Sequence, residues 1–262
     1  MGPVEEQLGF EKRDVSRLVK ASDLVNVRLV ARDFEIIRFL IQMKFSSIEE
    51  IHQKFFRVST DGIESSSLRW ARERLAALCR LRLVSSENVA GSNKRYFVAT
   101  AKGYHLISRA LLLDGFAKPT GRIDIRTFEH DLAVLRMRLE LEADGSVTHW
   151  VSDRELKVAS EKFDALRGDY APDAIYQTPS GEQVALEVEI ARKAKIRYQK
   201  KIQHYVDTYR DRKCSSFKLS KVHVVCLRKS VFEIWQEKTE IFGSIFQVEF
   251  KDVLDLAKRG AA

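Results

Sequence analysis

The sequence predicts an α+β chain in two parts, a small helical unit carrying one β-hairpin and then an α/β unit built on a mixed central sheet. Three observations predict it. Between Arg32 and Leu111, apolar residues recur at helical spacing in four segments, interrupted once by two short strand-like runs around a polar turn. After Gly121, helical and strand patterns alternate. Within that second part, Gln183 to Ile190 alternates strictly, with Val184, Leu186, Val188 and Ile190 on one face and Ala185, Glu187 and Glu189 on the other.

A chain of 262 residues fits one large or two modest domains. Its net charge of +8 points to a polyanionic partner. Cys79, Cys214 and Cys226 are odd in number and lack metal-ligand spacing, so they read as thiols of a reducing compartment, and a cytoplasmic protein is expected. No apolar run approaches the roughly 18 residues of a membrane span, and the first residues lack a signal-peptide pattern.

Residues 1–30 form a charged arm in which Phe10, Val15, Leu18 and Val19 suit one short amphipathic helix. Residues 31–117 form the first unit. Phe34, Ile37, Leu40 and Ile41 mark its first helix, with Asp33 in the first turn where the helix dipole favours an acid. A second helix starts at Ser47, capped by Ser46 or Ser47, with Glu49 and Glu50 in its first turn. Ser65-Ser66-Ser67 opens a third helix to about Arg82, with a stripe of Leu68, Ala71, Leu75 and Leu78 and with Arg69 and Arg72 off it. Leu83-Val84 and Lys94 to Val98 flank Gly91-Ser92-Asn93 as a hairpin, and a helix from Thr100 carrying Leu106, Ile107 and Leu111 closes the unit. This is the order of a winged helix-turn-helix, in which the third helix enters the major groove and the hairpin reaches the flanking backbone. Double-stranded DNA is the partner it implies. Arg69, Arg72, Lys94 and Arg95 suit base edges or phosphates, and Ser65 and Ser66 suit phosphate at a helix start. The competing reading is a helical interaction module with solvated arginines. A homodimer agrees with the DNA reading, because such modules often read symmetric sites, but no stretch specifies an interface.

Lys118 to Arg122 reads as a linker, by its proline and glycine. The second unit, residues 123–262, begins with a helix from Phe128 (Leu132, Leu135, Leu139) that ends near Asp144-Gly145. Val147 to Val151 is a strand, and Asp153 to Leu156 leads into a charged loop up to Asp169. A strand after Asp173, the turn Pro179 to Glu182 and the strand Gln183 to Ile190 follow. A helix from about Ala191 to Asp211 then buries Ile196, Ile202, Tyr205 or Val206, and Tyr209. Val222 to Leu227 returns parallel to the preceding strand. Ser230 to Phe242 is helical, and Ile245 to Phe250 is a closing strand.

Asp173, Glu187 and Glu189 are brought together by this arrangement. Like charges so close repel unless a cation or protons neutralise them, and such oxygens suit Mg2+ or Mn2+. His130 reads as a core or helix-start histidine, Glu155 as a surface acid, and Tyr198, Tyr205 and Tyr209 as core.

An acid opening one strand, a turn, and an acid-x-acid strand leading into a basic helix resembles the PD-(D/E)xK nuclease-like fold, with Pro172-Asp173 at its first motif and Glu187 at its second. More closely, a winged helix followed by His130-Asp131-Leu132, Glu155, Pro172-Asp173-Ala174, Leu186-Glu187-Val188-Glu189 and Lys201-Ile202-x-x-Tyr205 is similar to the replication-relaxation family, over roughly residues 30–250. That family is associated with plasmid replication and mobilisation and includes a relaxase. The resemblance implies a nuclease-type site in which two acids hold Mg2+ or Mn2+ and a lysine helps activate water. This chain departs from the pattern by carrying Glu189 where the lysine stands. Lys193 or Lys195 then substitutes from the adjoining helix, or Glu189 is a third metal ligand, or catalysis has been lost. Two functions stay open: a DNA-binding regulator or mobilisation factor whose second unit binds or regulates, and a metal-dependent nickase or relaxase using Asp173, Glu187 and Glu189.

Overall fold

The computed structural model describes residues 28–58, 62, 64–111, 117–160, 171–210 and 219–252. The expected helix around Phe10 to Val19, the loop up to Asp169, Cys214 and the side chain of Tyr209 lie outside the described residues. The fold is α+β with mixed sheets.

In the first unit, α1 (Ala31–Met43) leads through β1 (Ser46–Ser47) to α2 (Ile48–Phe55) and α3 (Arg69–Arg80), then to β2 (Val84–Asn88), β3 (Arg95–Ala99) and α4 (Ala101–Leu111). β2 and β3 form the expected antiparallel hairpin. The two-residue β1, which carries no alternation to reveal it, pairs with the free edge of β3 to give the sheet order β1-β3-β2. Ser47 caps α2 as expected, its hydroxyl accepting from Glu50 N while the Glu50 carboxylate accepts from Ser47 N at 2.7 Å.

The third helix differs from the sequence expectation at both ends. It starts at Arg69, and the serines lie in the turn before it: Ser65 Oγ accepts from Ser67 N and Ser67 Oγ from Arg69 N. It stops at Arg80 because Arg82 takes φ 56° and Leu83 N bonds back to Leu78 O at 3.0 Å, a left-handed stop of the Schellman kind. Gly103 lets α4 close on this turn, since a Cβ there would lie 2.3 Å from Leu83 O.

The second unit runs α5 (Phe128–Ala143), β4 (His149–Ser152), α6 (Asp153–Ser160), β5 (Ala174–Gln177), β6 (Gln183–Glu189), α7 (Lys195–Arg210), β7 (Leu219–Cys226), α8 (Lys229–Thr239) and β8 (Phe246–Phe250). The sheet order is β4-β5-β6-β7-β8, antiparallel from β4 to β6 and parallel from β6 to β8. β6 is therefore central. Val184, Leu186 and Val188 pack under α5, and Ala185 packs under α7 and α8. The segment Asp153 to Ser160 is helical rather than the start of a loop. Ser152 and Glu155 explain this, since the Glu155 carboxylate accepts from Ser152 N and Oγ, both at 2.9 Å, as a capping residue does. α7 begins four residues later than expected, and Ile196 is 56% exposed rather than buried, because it stands about 200° around the helix from the buried Tyr198 and shares the outward face of Lys200 and Gln203.

The two units dock through α1. Phe34, Ile37, Leu40 and Ile41 fill the first core, while Phe39 and Met43 belong to the core under α5. Phe45 stacks on Phe128 with ring centroids 5.1 Å apart, and Tyr96 meets the same ring edge-on. Lys118 to Arg122 carries no helix or strand, and the units on either side are packed together.

α3 is held on α1 by a buried ion pair. Asp33 is buried in the first turn of α1, Arg74 donates to both of its oxygens, and Val30 N adds a bond of 2.7 Å. Arg74→Met leaves a buried carboxylate without its cation and is expected to cost about 3–5 kcal/mol in urea denaturation. Adding Asp33→Asn in that background is expected to recover part of the loss. A cost under about 1 kcal/mol, the range of an exposed pair, contradicts this.

Candidate functional site

β5 and β6 place the acids. Ala174 pairs with Leu186, and Asp173 N donates to Leu186 O at 3.0 Å, so Asp173 stands opposite Glu187 one step further along. Opposed residues of an antiparallel pair have Cα atoms about 4.5–5.5 Å apart. Glu187 and Glu189 share the face of β6 toward α7, and both are buried. Two carboxylates buried on one strand face need a cation.

That cation is Lys201. It lies in the second turn of α7, and its ammonium donates to Glu187 Oε2 at 2.5 Å and to Glu189 Oε1 at 3.2 Å. Tyr205, one turn further on the same helix face, donates its phenol to Glu187 Oε1. Lys193 brings its ammonium 2.7 Å from Glu189 Oε2, and its backbone N–H is held by the Tyr198 hydroxyl at 2.9 Å. Lys195, the other lysine expected to enter the cluster, is exposed at the first position of α7 and makes no ion pair with the acids. Of the two lysines expected to stand in for the missing strand lysine, Lys193 thus reaches only Glu189, and Lys201 fills the central position.

Asp173 is held from two sides, by Val188 N at 2.8 Å and by His130 Nε2 at 3.2 Å. His130 also faces Asp131, with Nδ1 3.5 Å from its carboxylate. Burial opposes a charged His130, but the bonds to Asp131 and Asp173 and their charges outweigh it and lift the imidazole to about 10. Lys44, ending α1 with φ 71°, then bridges Asp131 at 2.7 Å and Asp153 at 3.4 Å. These groups line a small cleft between the units, walled also by Gln42, Met43, Val134, Trp150 and Ser152. An alternating series of charges thus leads from α1 to the central strand.

The donors are hard oxygens, the kind Mg2+ or Mn2+ takes. Their arrangement does not fit such an ion. Both oxygens of Glu187 and of Glu189 face lysine or tyrosine, and no group of three or more His, Cys, Asp or Glu among the described residues is placed to hold a metal.

The residues expected to touch DNA sit elsewhere, on the first unit. Arg69 and Arg72 are exposed on the outer face of α3, Arg69 paired with Glu73 at 2.9 Å. Arg80 extends that face. Ser66 is exposed and Ser65 half-buried in the preceding turn. Arg95 is exposed at the start of β3, and Lys94, at the tip of the hairpin, lies 3.6 Å from Glu49 of α2.

Four residues escaped the sequence reading. Lys201 is visible in the sequence only as part of a family motif and Tyr205 as that and as a core residue, which it is; their i, i+4 spacing on the helix after an acidic strand is the signal that pairs them with Glu187. His130 sits in the first turn of α5, the helix-start place the sequence gives it, and from there also holds Asp173, which the sequence does not show. Trp70 is a large apolar residue off the apolar stripe of α3, and it is 62% exposed.

No family model matches the chain, and no curated protein or solved structure is significantly similar to it.

Burial raises Glu187 to about 7; the charge of Asp173 adds to this and Lys201 only partly opposes it. In the unfolded chain its carboxyl returns to about 4.5. Between these values the folded state keeps a proton that the unfolded state has lost, so stability falls as pH rises. His130 loses its contribution only above its unfolded value of 6.5. Comparing Tm at about pH 5 and about pH 6.5 therefore isolates Glu187 from it. Wild type is expected to lose Tm over that interval, and Glu187→Gln is expected to remove most of the loss. Equal pH dependence in the two proteins contradicts this assignment.

Proposed function

We propose that the chain is a DNA-binding protein of replication-relaxation type. In this reading α1 to α4 and the β2–β3 hairpin act as a winged helix-turn-helix, α3 enters the major groove of duplex DNA, and the hairpin reaches the neighbouring backbone. The second unit is a PD-(D/E)xK nuclease-like domain that serves binding or regulation. The observation that carries the proposal is the outer face of α3. Its inner side is buried, Leu75 and Leu78 in the first core and Ala71 beside them in the helix, and Arg74 is tied to Asp33, so Arg69, Arg72 and Arg80 are left pointing to solvent from a firmly seated helix. Arg95 adds a cation on the hairpin. Arg192, Lys195, Arg197 and Lys200 give the start of α7 and the turn before it a second exposed basic surface, suited to phosphates near the acidic cluster.

A second reading, a Mg2+- or Mn2+-dependent nickase using Asp173, Glu187 and Glu189, is favoured by one observation: α7 delivers a lysine to the acids in place of the one β6 lacks. It requires an ion to displace Lys201 and Tyr205 from Glu187, and no cleavage step follows from the arrangement as it stands.

Arg69→Ala combined with Arg72→Ala is expected to weaken duplex binding several-fold and to reduce the slope of log affinity against log salt by about 1.8, the share of two phosphate-neutralising cations. Fluorescence anisotropy of a labelled duplex across a salt series measures both. Unchanged affinity and slope remove α3 as the DNA-binding face.

A further inference from the structure

We propose that Trp70 is the apolar reading element of α3, its indole lying against base edges in the major groove beside Arg69. The inference rests on the duplex-DNA reading of α3 and names the side chain through which that face makes nonpolar contact.

Trp70 is the second residue of α3, and its 62% exposure stands apart from the other two tryptophans, Trp150 at 4% and Trp235 at 0%. Its exposure is not the result of a loosely packed helix. The adjacent Ala71 is fully buried, Leu75 and Leu78 are seated in the first core, and Arg74 is anchored to Asp33. The chain therefore holds a large aromatic ring in water on a fixed platform.

The surroundings of the ring identify the class of partner. The Arg69 guanidinium, paired with Glu73 at 2.9 Å, lies 5.7 Å from the Trp70 ring centroid. An apolar protein surface laid over this patch would strip water from the Arg69 guanidinium and return nothing for its charge. Duplex DNA offers both chemistries at once, phosphates for the cation and thymine methyls and base edges for the indole. The opening residues of a groove-reading helix are the ones that meet base edges, and Trp70 is among them. Sequence reading passed over it because tryptophan in an amphipathic helix is ordinarily assigned to the core.

The experiment uses the full chain and a fluorescein-labelled mixed-sequence duplex. Anisotropy of the duplex reports binding, and acrylamide quenching of tryptophan emission reports access to Trp70, since the other two tryptophans are buried. Saturating the protein with duplex is expected to protect its emission from acrylamide. Trp70→Phe is expected to abolish the protectable signal while retaining binding. Trp70→Ala is expected to weaken binding about tenfold with no change in salt slope, because no charge is removed. Far-UV circular dichroism establishes that both variants are folded. Should the duplex bind while acrylamide access is unchanged and Trp70→Ala binds as wild type, the inference is overturned and the DNA reading of α3 survives. Absence of any duplex binding by wild type overturns both.

Discussion

The fold of the second unit depends on one half-buried ammonium. β6 lies at the centre of its sheet, where both faces are covered, yet it carries Glu187 and Glu189 on one of them. Two unpaired carboxylates there would cost several kcal/mol each and open the sheet to water. Lys201 answers both charges from a single position on α7, and Tyr205 supplies the remaining donor to Glu187. The ion cluster thereby fixes the register of α7 against β6, which the apolar contacts of Ile202 and Val206 alone would specify less tightly. Burial works against the Lys201 charge, but the three acids around it hold its ammonium above the ordinary lysine value.

The same polar logic continues toward the first unit. Asp173 is shared between β6 and His130, His130 faces Asp131, and Lys44 ties Asp131 and Asp153 to the end of α1. α1 also donates side chains to two cores and holds α3 through Asp33 and Arg74. The exposed arginines of α3 and the acidic cluster of β6 are therefore parts of one packed body. A contact made on α3 is borne by α1, and α1 rests on the elements that carry Asp173 and Glu155; Gln42 reaches Glu155 directly at 3.0 Å.

Much of this was legible in the sequence wherever burial imposes periodicity. The strict alternation from Val184 to Glu189 gave the face of each carboxylate, and the stripe of α3 gave the outward direction of Arg69 and Arg72. What escaped depended on contacts between residues far apart in the chain. β1 is too short to show a pattern, and α6 is nucleated by a Ser152–Glu155 cap whose acid looked like a surface residue. Ile196 lies about 200° around α7 from the buried Tyr198, on the face of Lys200 and Gln203, so its apolar character alone assigned it to a core it does not face. Lys193 and Lys195 were closest in sequence to the acids; Lys201 is closest in space because two turns of helix bring it back over β6.

The claim at the centre of this account is that Lys201 is the resident cation of the acidic cluster. Electron paramagnetic resonance of Mn2+ titrated into the folded protein at neutral pH tests it directly. The account predicts that wild type leaves the Mn2+ signal that of the free ion, whereas Lys201→Met, with the three acids uncovered, takes up the ion. Stoichiometric uptake by wild type that disappears in Glu187→Gln would contradict it and place a metal where the ammonium now stands.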